Sequence, residues 1–279
     1  MGSPRFHTME ATGCTIIEAW FPPGAVLEPH THDGPIFGIM LGGAFQTVIA
    51  HRQLDCPLAT AWVEPQAERH ANYIGRDGAR VLVVQPDPSR SELFGPFAKF
   101  VEEVRHLRHG GIAADAWRVA AELTIGDDLS TFAVDGLIQT MLATAARADR
   151  PGLTHAPPPR WLLQAQERLQ ACFRDHLSIS RLAYEVGVSS WQLARGFRNH
   201  LHTSIGSYVR RLRVAWAAER LASTGASLAE IAVAAGFSDQ SHLTREFRRQ
   251  LGVTPHAYRR AAQRMEGHHR RDVTKGPHD

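Results

Sequence analysis

The sequence predicts a multidomain α+β chain: an N-terminal small β-barrel or jelly roll with a helical pair, followed by an all-α domain of tandem helix-turn-helix units. Three observations predict it. Between Thr15 and Gln85, short β-rich runs alternate with turn residues. From Phe97 to Arg147 the apolar spacing becomes helical. Between residues 178 and 260 one helical pattern occurs twice, at an offset of 49 to 50 positions.

Seven runs read as strands: Thr15–Phe21, Ala25–Glu28, Ile36–Leu41, Ala44–His51, Thr60–Val63, Glu68–Tyr73 and Arg80–Gln85. Pro22-Pro23-Gly24, Asp33-Gly34-Pro35, Gly42-Gly43 and Arg76-Asp77-Gly78 separate them as turns. The barrel is expected over residues 1–95. A lid or dimerisation segment, residues 96–150, then carries two amphipathic helices, Ile112–Ile125 and Leu129–Arg147, broken by Gly126-Asp127-Asp128. Phe132, Leu137, Ile138, Met141 and Leu142 form the apolar stripe of the second. Pro151-Gly152 and Pro157-Pro158-Pro159 make residues 151–159 a stiff linker.

The remaining domain, residues 160–264, contains the repeat. Ser227 followed by Glu230 is a capping box, and Leu228, Ile231, Ala232 and Ala235 recur at i, i+3, i+4, i+7. Gly236 ends that helix, and Ser238 or Asp239 caps the next, whose Leu243, Phe247 and Leu251 face inward. Gln240, Ser241, His242, Arg245 and Arg249 then face outward. Forty-nine residues earlier, Ser178, Ile179, Leu182, Ala183, Val186 and Gly187 repeat the first helix, and at an offset of 50 seven of the 18 positions from 193 to 210 are identical to their counterparts. On that earlier second helix Trp191, Gln192, Arg195 and Asn199 face outward, with packing of Trp191 under a neighbouring helix as the alternative. Ser204 or Thr203 caps a helix to about Ser223. Its ~28 Å length would set the two outward-facing helices near one turn of DNA apart, ~34 Å. Arg195 and Arg245 suit base edges, whereas Arg248 and Arg249 suit phosphates. Thr254-Pro255 starts a last helix, and a tail, residues 265–279, is expected to be disordered.

Residues 160–262 resemble the DNA-binding domain of the AraC-type transcriptional regulators, and the segment IAxxxGFSDQSHLTREFRRQLGVTPHAYR is close to that family's signature. One departure is His202, where the second repeat has Gly252; a non-glycine residue in the left-handed region costs roughly 1 kcal/mol, so a looser helix exit is expected there. The resemblance implies double-stranded DNA as partner, RNA polymerase as a further partner, a homodimer, and a small-molecule effector bound by the N-terminal domain. In that domain His30-Thr31-His32 and Pro65…His70 resemble the cupin pattern. A cupin metal site adds a Glu shortly after the paired histidines, where Ile36 and Phe37 stand here. The expected chemistry at His30, His32 and His70 is therefore direct hydrogen bonding to an effector, without metal or cofactor. The alternative is a structural role at the barrel mouth.

Charge supports the division. Residues 1–159 hold 12 Arg/Lys against 18 Asp/Glu, and residues 160–264 hold 16 against 7. Positive charge concentrated on the repeated unit fits a polyanion. No apolar run is long enough to span a membrane, no signal-peptide pattern opens the chain, and Cys14, Cys56 and Cys172 read as reduced thiols, so a cytoplasmic protein is expected. No nucleophile elbow or phosphate loop is present, and catalysis is not expected. Two alternatives remain: a metal-dependent cupin enzyme with an appended DNA-binding domain, and a regulator whose barrel only dimerises.

Overall fold

The computed structural model describes residues 3–87, 94–149 and 158–263. Most of the linker and all of the tail named above lie outside them. Eight strands form one antiparallel sheet: β1 (Arg5–Ala11), β2 (Cys14–Phe21), β3 (Val26–His30), β4 (Ile36–Ile49), β5 (Arg52–Pro57), β6 (Thr60–Glu64), β7 (His70–Pro86) and β8 (Arg105–Arg108). Its order is β1-β2-β7-β4-β6-β8, with β3 also paired to β7 and β5 to β4.

Two long strands organise it. β7 pairs with β3 through its first residues and with β2 through its last. β4 pairs with β6 through its first half and with β5 through its second. Gly42-Gly43, expected as a turn, is instead where the β4–β7 ladder shifts register while both strands continue. A bulge bends a strand without ending it. At Gly43 φ is +66°, and a Cβ would meet the Gly78 carbonyl oxygen at 2.0 Å, so only glycine fits this crossing.

Alternate residues serve two cores. Met40, Phe45, Cys56, Trp62, Ile74 and Val81 pack together on one face, with Phe45 edge-on to Trp62 at 4.9 Å. Ile16, Phe37, Ile39, Leu82 and Val84 face the other way, toward the helices. β1, β5 and β8 are absent from the sequence expectation, and β8 places a strand in a segment read as helical. All three are polar and short, so their pattern is weak, and ladder pairing rather than burial defines them.

After a short helix, α1 (Ala98–Val101), come α2 (Gly110–Ile125) and α3 (Ser130–Ala148). α2 is buried along Ile112, Ala113, Ala116, Ala120 and Leu123 and packs against both β4 and the C-terminal helix α9 defined below. Its alanines permit close approach on two sides. On α3, Val134, Ile138, Met141 and Leu142 are buried, but Phe132, assigned above to this stripe, is 76% exposed.

The C-terminal half comprises α4 (Arg160–Cys172), α5 (Ile179–Glu185), α6 (Ser190–Leu201), α7 (Ile205–Ser223), α8 (Leu228–Ala234), α9 (Gln240–Leu251) and a last helix over 255–263 capped by Thr254. It docks on the rest of the chain: Arg211 Nη1 donates to the Gly110 carbonyl at 2.6 Å, Arg108 Nη1 to Gln166 Oε1 at 3.2 Å, and His109 stacks on His202 at 4.5 Å.

Candidate nucleic-acid interface and histidine cluster

The two helix pairs are built alike. Ser178 and Ser227 cap α5 and α8, and Ser189 and Asp239 cap α6 and α9. Leu193, Phe197 and Leu201 on α6 match Leu243, Phe247 and Leu251 on α9 as fully buried stripes. Phe197 and Phe247 meet Tyr208 and Tyr258 edge-on at 5.5 and 5.4 Å. Gly236, at φ +86°, ends the α8 unit where a Cβ would meet the Arg174 carbonyl oxygen at 2.4 Å. His202 caps α6 in the left-handed region at φ +49°, where Gly252 caps α9 at φ +79°, and its ring stacks on His109.

The outward faces differ from expectation in detail. Trp191 is 66% exposed, not tucked under α7, and Arg195 lies over its ring at 5.1 Å. Gln240, Ser241 and Arg245 are exposed on α9. Three residues expected on the reading faces also have partners within the chain. The Gln192 side chain closes a capping box by accepting from Ser189 N at 3.0 Å. The Ser-x-x-Gln spacing carries that signal in the sequence. His242 sits against Phe237 at 5.1 Å and within 3.1 Å of the Ser238 hydroxyl. Arg249 is paired to Glu246 at 2.6 Å. On α7, Arg211 and Arg213 bond backbone carbonyls.

The chain matches the family model for a helix-turn-helix domain over residues 182–261. It is 39% identical over 83 residues to the regulatory protein SoxS of Escherichia coli K12, covering 30% of this chain and 78% of that protein. The chain belongs to the AraC-type transcriptional regulators. This AraC-type regulator is also 33% identical over 85 residues to the transcriptional activator AarP of Providencia stuartii, covering 30% of this chain and 63% of that one. A solved AraC-type regulator structure from Chromobacterium violaceum is 33% identical, covers 37% of this chain and 91% of that chain, and has a TM-score of 0.36. The chain is thus a DNA-binding transcription regulator, and its curated relatives are regulatory proteins. No helix among the described residues is long and apolar enough to cross a membrane.

The regulator's histidines come together in the N-terminal sheet. His30 and His70 face each other across the β3–β7 ladder, and Pro65, Ala67 and Glu68 form the turn that delivers β7. The rings of His30, His32 and His70 lie 4.3 to 5.0 Å apart, and one nitrogen of each lies within 4.8 Å of the others. His30 Nδ1 bonds the Glu28 carbonyl at 2.7 Å and His70 Nδ1 bonds the Glu68 carbonyl at 3.0 Å. A ring nitrogen that meets a carbonyl carries a proton, so in the neutral tautomer the lone pair lies on Nε2.

The carboxylate missing after His32 is supplied elsewhere. Glu64 stands directly across the β4–β6 ladder from Ile36, the position where the sequence lacks it. Its Oε2 is 3.3 Å from His70 Nε2 and 3.6 Å from His32 Nε2, while Trp62 Nε1 donates to its Oε1 at 3.1 Å. The His70 ring is fully buried, and its Nε2 has no hydrogen-bond partner. Burial lowers the His70 pKa, partly offset by Glu64. Three imidazoles and one carboxylate suit a first-row divalent ion, and the carbonyl-anchored Nδ1 groups are the outer-shell contacts that fix ligating rings. The donor set thus includes a carboxylate beside His32 and His70, which the metal-free expectation drawn from Ile36 and Phe37 did not count.

Proposed function

We propose that this regulator reads two successive major grooves of double-stranded DNA through α6 and α9, under the control of its cupin-like N-terminal sheet. The observation that carries this is a pair of equivalently capped helices whose exposed faces hold Trp191 and Arg195 on one and Gln240, Ser241 and Arg245 on the other, joined by the 19-residue α7. Arginine suits guanine O6 and N7, and an indole suits thymine methyl groups or sugars. Selection of bound duplexes from a random pool tests the reading. Two sequence blocks about one helical turn apart are expected, and a single block would overturn two-groove reading.

Control by the sheet is supported by the histidine cluster. His30, His32, His70 and Glu64 would hold a divalent ion, which would supply a Lewis-acid contact for an oxygen-bearing effector. The protein's part is to fix the four donors and hold the ring tautomers. RNA polymerase contact and a homodimer belong to the same reading. Exposed Leu129 and Phe132 at the start of α3 support a paired surface there.

A further inference from the structure

A second site lies where the two halves meet. A cavity of about 820 Å³ is walled on one side by the sheet and α2 and on the other by α4, its C-terminal exit and α7. That volume is within the range that encloses a small organic ligand. Its chemistry is uneven. Trp20 and Trp117 line it from the N-terminal half and Trp216 from α7. Arg5 lies over Trp20 at 5.5 Å, and Arg174 and Arg220 lie over Trp216 at 5.6 and 5.2 Å.

The cationic side is in excess. Arg80 also lines the cavity, but Glu18 neutralises it in a buried ion pair. Among the described residues, no carboxylate lies within ion-pair distance of Arg5, Arg174 or Arg220, although Asp77 and Glu219 line the same space. Two guanidiniums, one from the turn after α4 and one from α7, therefore lie over one indole without a counter-ion. An anion between them relieves like-charge repulsion, and a flat apolar body attached to it stacks on the tryptophans.

We propose that this interdomain cavity binds an aromatic carboxylate, with the acid on Arg174 and Arg220 and the ring system among Trp20, Trp117 and Trp216. The bound molecule touches both halves at once. It therefore binds the docked arrangement preferentially and ties α4 and α7, the scaffold of the helix pairs, to the sheet. This site is separate from the histidine cluster.

The test uses the full chain, with 2-naphthoate as probe and 2-naphthamide as its neutral counterpart. Calorimetric titration is expected to give saturable naphthoate binding with a rise in melting temperature, and at least tenfold weaker binding of the amide. The double variant Arg174→Gln/Arg220→Gln alters exposed side chains, and its folding is checked by its melting temperature without ligand. It is expected to lose at least tenfold in naphthoate affinity, as is Trp216→Leu, while His30→Ala binds naphthoate as the unmodified chain does. Equal binding of acid and amide, an unchanged affinity in the arginine double variant, loss of binding in a folded His30→Ala variant, or no saturable binding would each overturn the proposal. Duplex binding measured on the same preparations keeps a failure here distinct from a failure of the DNA-reading proposal.

Discussion

The Glu64 carboxylate lies 3.3 Å from Nε2 of His70, inside a cluster where His30 and His32 complete the set of donors. Lone pairs converging on one point repel one another unless a cation or proton lies between them. One bound divalent ion per chain is therefore expected, with Zn²⁺ or Co²⁺ as probe. His70→Ala and Glu64→Gln should each lower metal affinity at least tenfold, read by calorimetric titration after chelator treatment and by the Co²⁺ absorption spectrum. Unchanged stoichiometry and affinity in both variants would remove metal from the account and restore direct imidazole hydrogen bonding to the effector.

The reading helices give a contrast within one helix. Arg245 is exposed on α9 and opposite the buried Leu243–Phe247–Leu251 stripe, whereas Arg249 is held by Glu246. Arg245→Ala is expected to weaken specific binding by ~1–3 kcal/mol and relax preference at one base position. Arg249→Ala should weaken all sequences alike, because a phosphate contact positions without specifying. Competition assays with selected and scrambled duplexes separate the two. Equal losses on both duplexes for Arg245→Ala would reassign it to the phosphate backbone.

What was legible in the sequence follows the range of the forces involved. The helix pairs are local: caps, apolar spacing and stop glycines all fall within a few residues, so α5, α6, α8 and α9 were readable, as was α7. The histidines were readable as a motif, but Glu64 was not. It enters through the β4–β6 register, a pairing with Ile36 that no local spacing reveals. Gly42-Gly43 misled because glycine marks a bulge as readily as a turn. The interdomain cavity has no sequence signature, since Trp20, Trp117 and Trp216 meet only after the halves dock.

Acid should loosen the contact between the halves. Burial, then the neighbouring His202 and Arg211, hold the His109 pKa down to about 4. Within the N-terminal half, burial and Arg108 hold His106, whose Nε2 meets the Asp55 carbonyl, to about 4. Both folded-state values are depressed from 6.5, so between pH 6.5 and 4 the unfolded chain binds more protons than the folded one. The stabilisation is complete above pH 6.5 and is lost as pH falls toward 4, by at most about 3 kcal/mol per ring. His109 Nδ1 also accepts from Gly111 N and Ile112 N at the start of α2, a role protonation ends. Asparagine caps helices without titrating. His109→Asn is therefore expected to flatten the fall in melting temperature between pH 6.5 and 4. An unchanged slope would show that this ring does not govern it.

The last expectation concerns the C-terminal half by itself. Its own core runs through Leu162, Leu169, Leu193, Phe197, Leu212, Leu221, Leu243 and Phe247, all on its own helices. Its contacts to the N-terminal half, such as Arg211 to Gly110 of α2, do not involve the exposed residues Trp191, Arg195, Gln240, Ser241 and Arg245. A fragment of residues 160–279 is therefore expected to fold and bind duplex DNA. Its 16 Arg/Lys against 7 Asp/Glu up to residue 264 make counterion release the main sequence-independent term. Affinity should fall steeply with salt, by about 10³–10⁵ between 50 and 200 mM if six to ten phosphates are engaged. Exposing the α9 and α7 surfaces that now meet α2 and β4 should lower its melting temperature relative to the full chain. Fluorescence anisotropy across a salt series, with circular dichroism to establish folding, gives both readings. A folded fragment without affinity at low salt would mean that the sheet domain contributes to the DNA-binding surface itself.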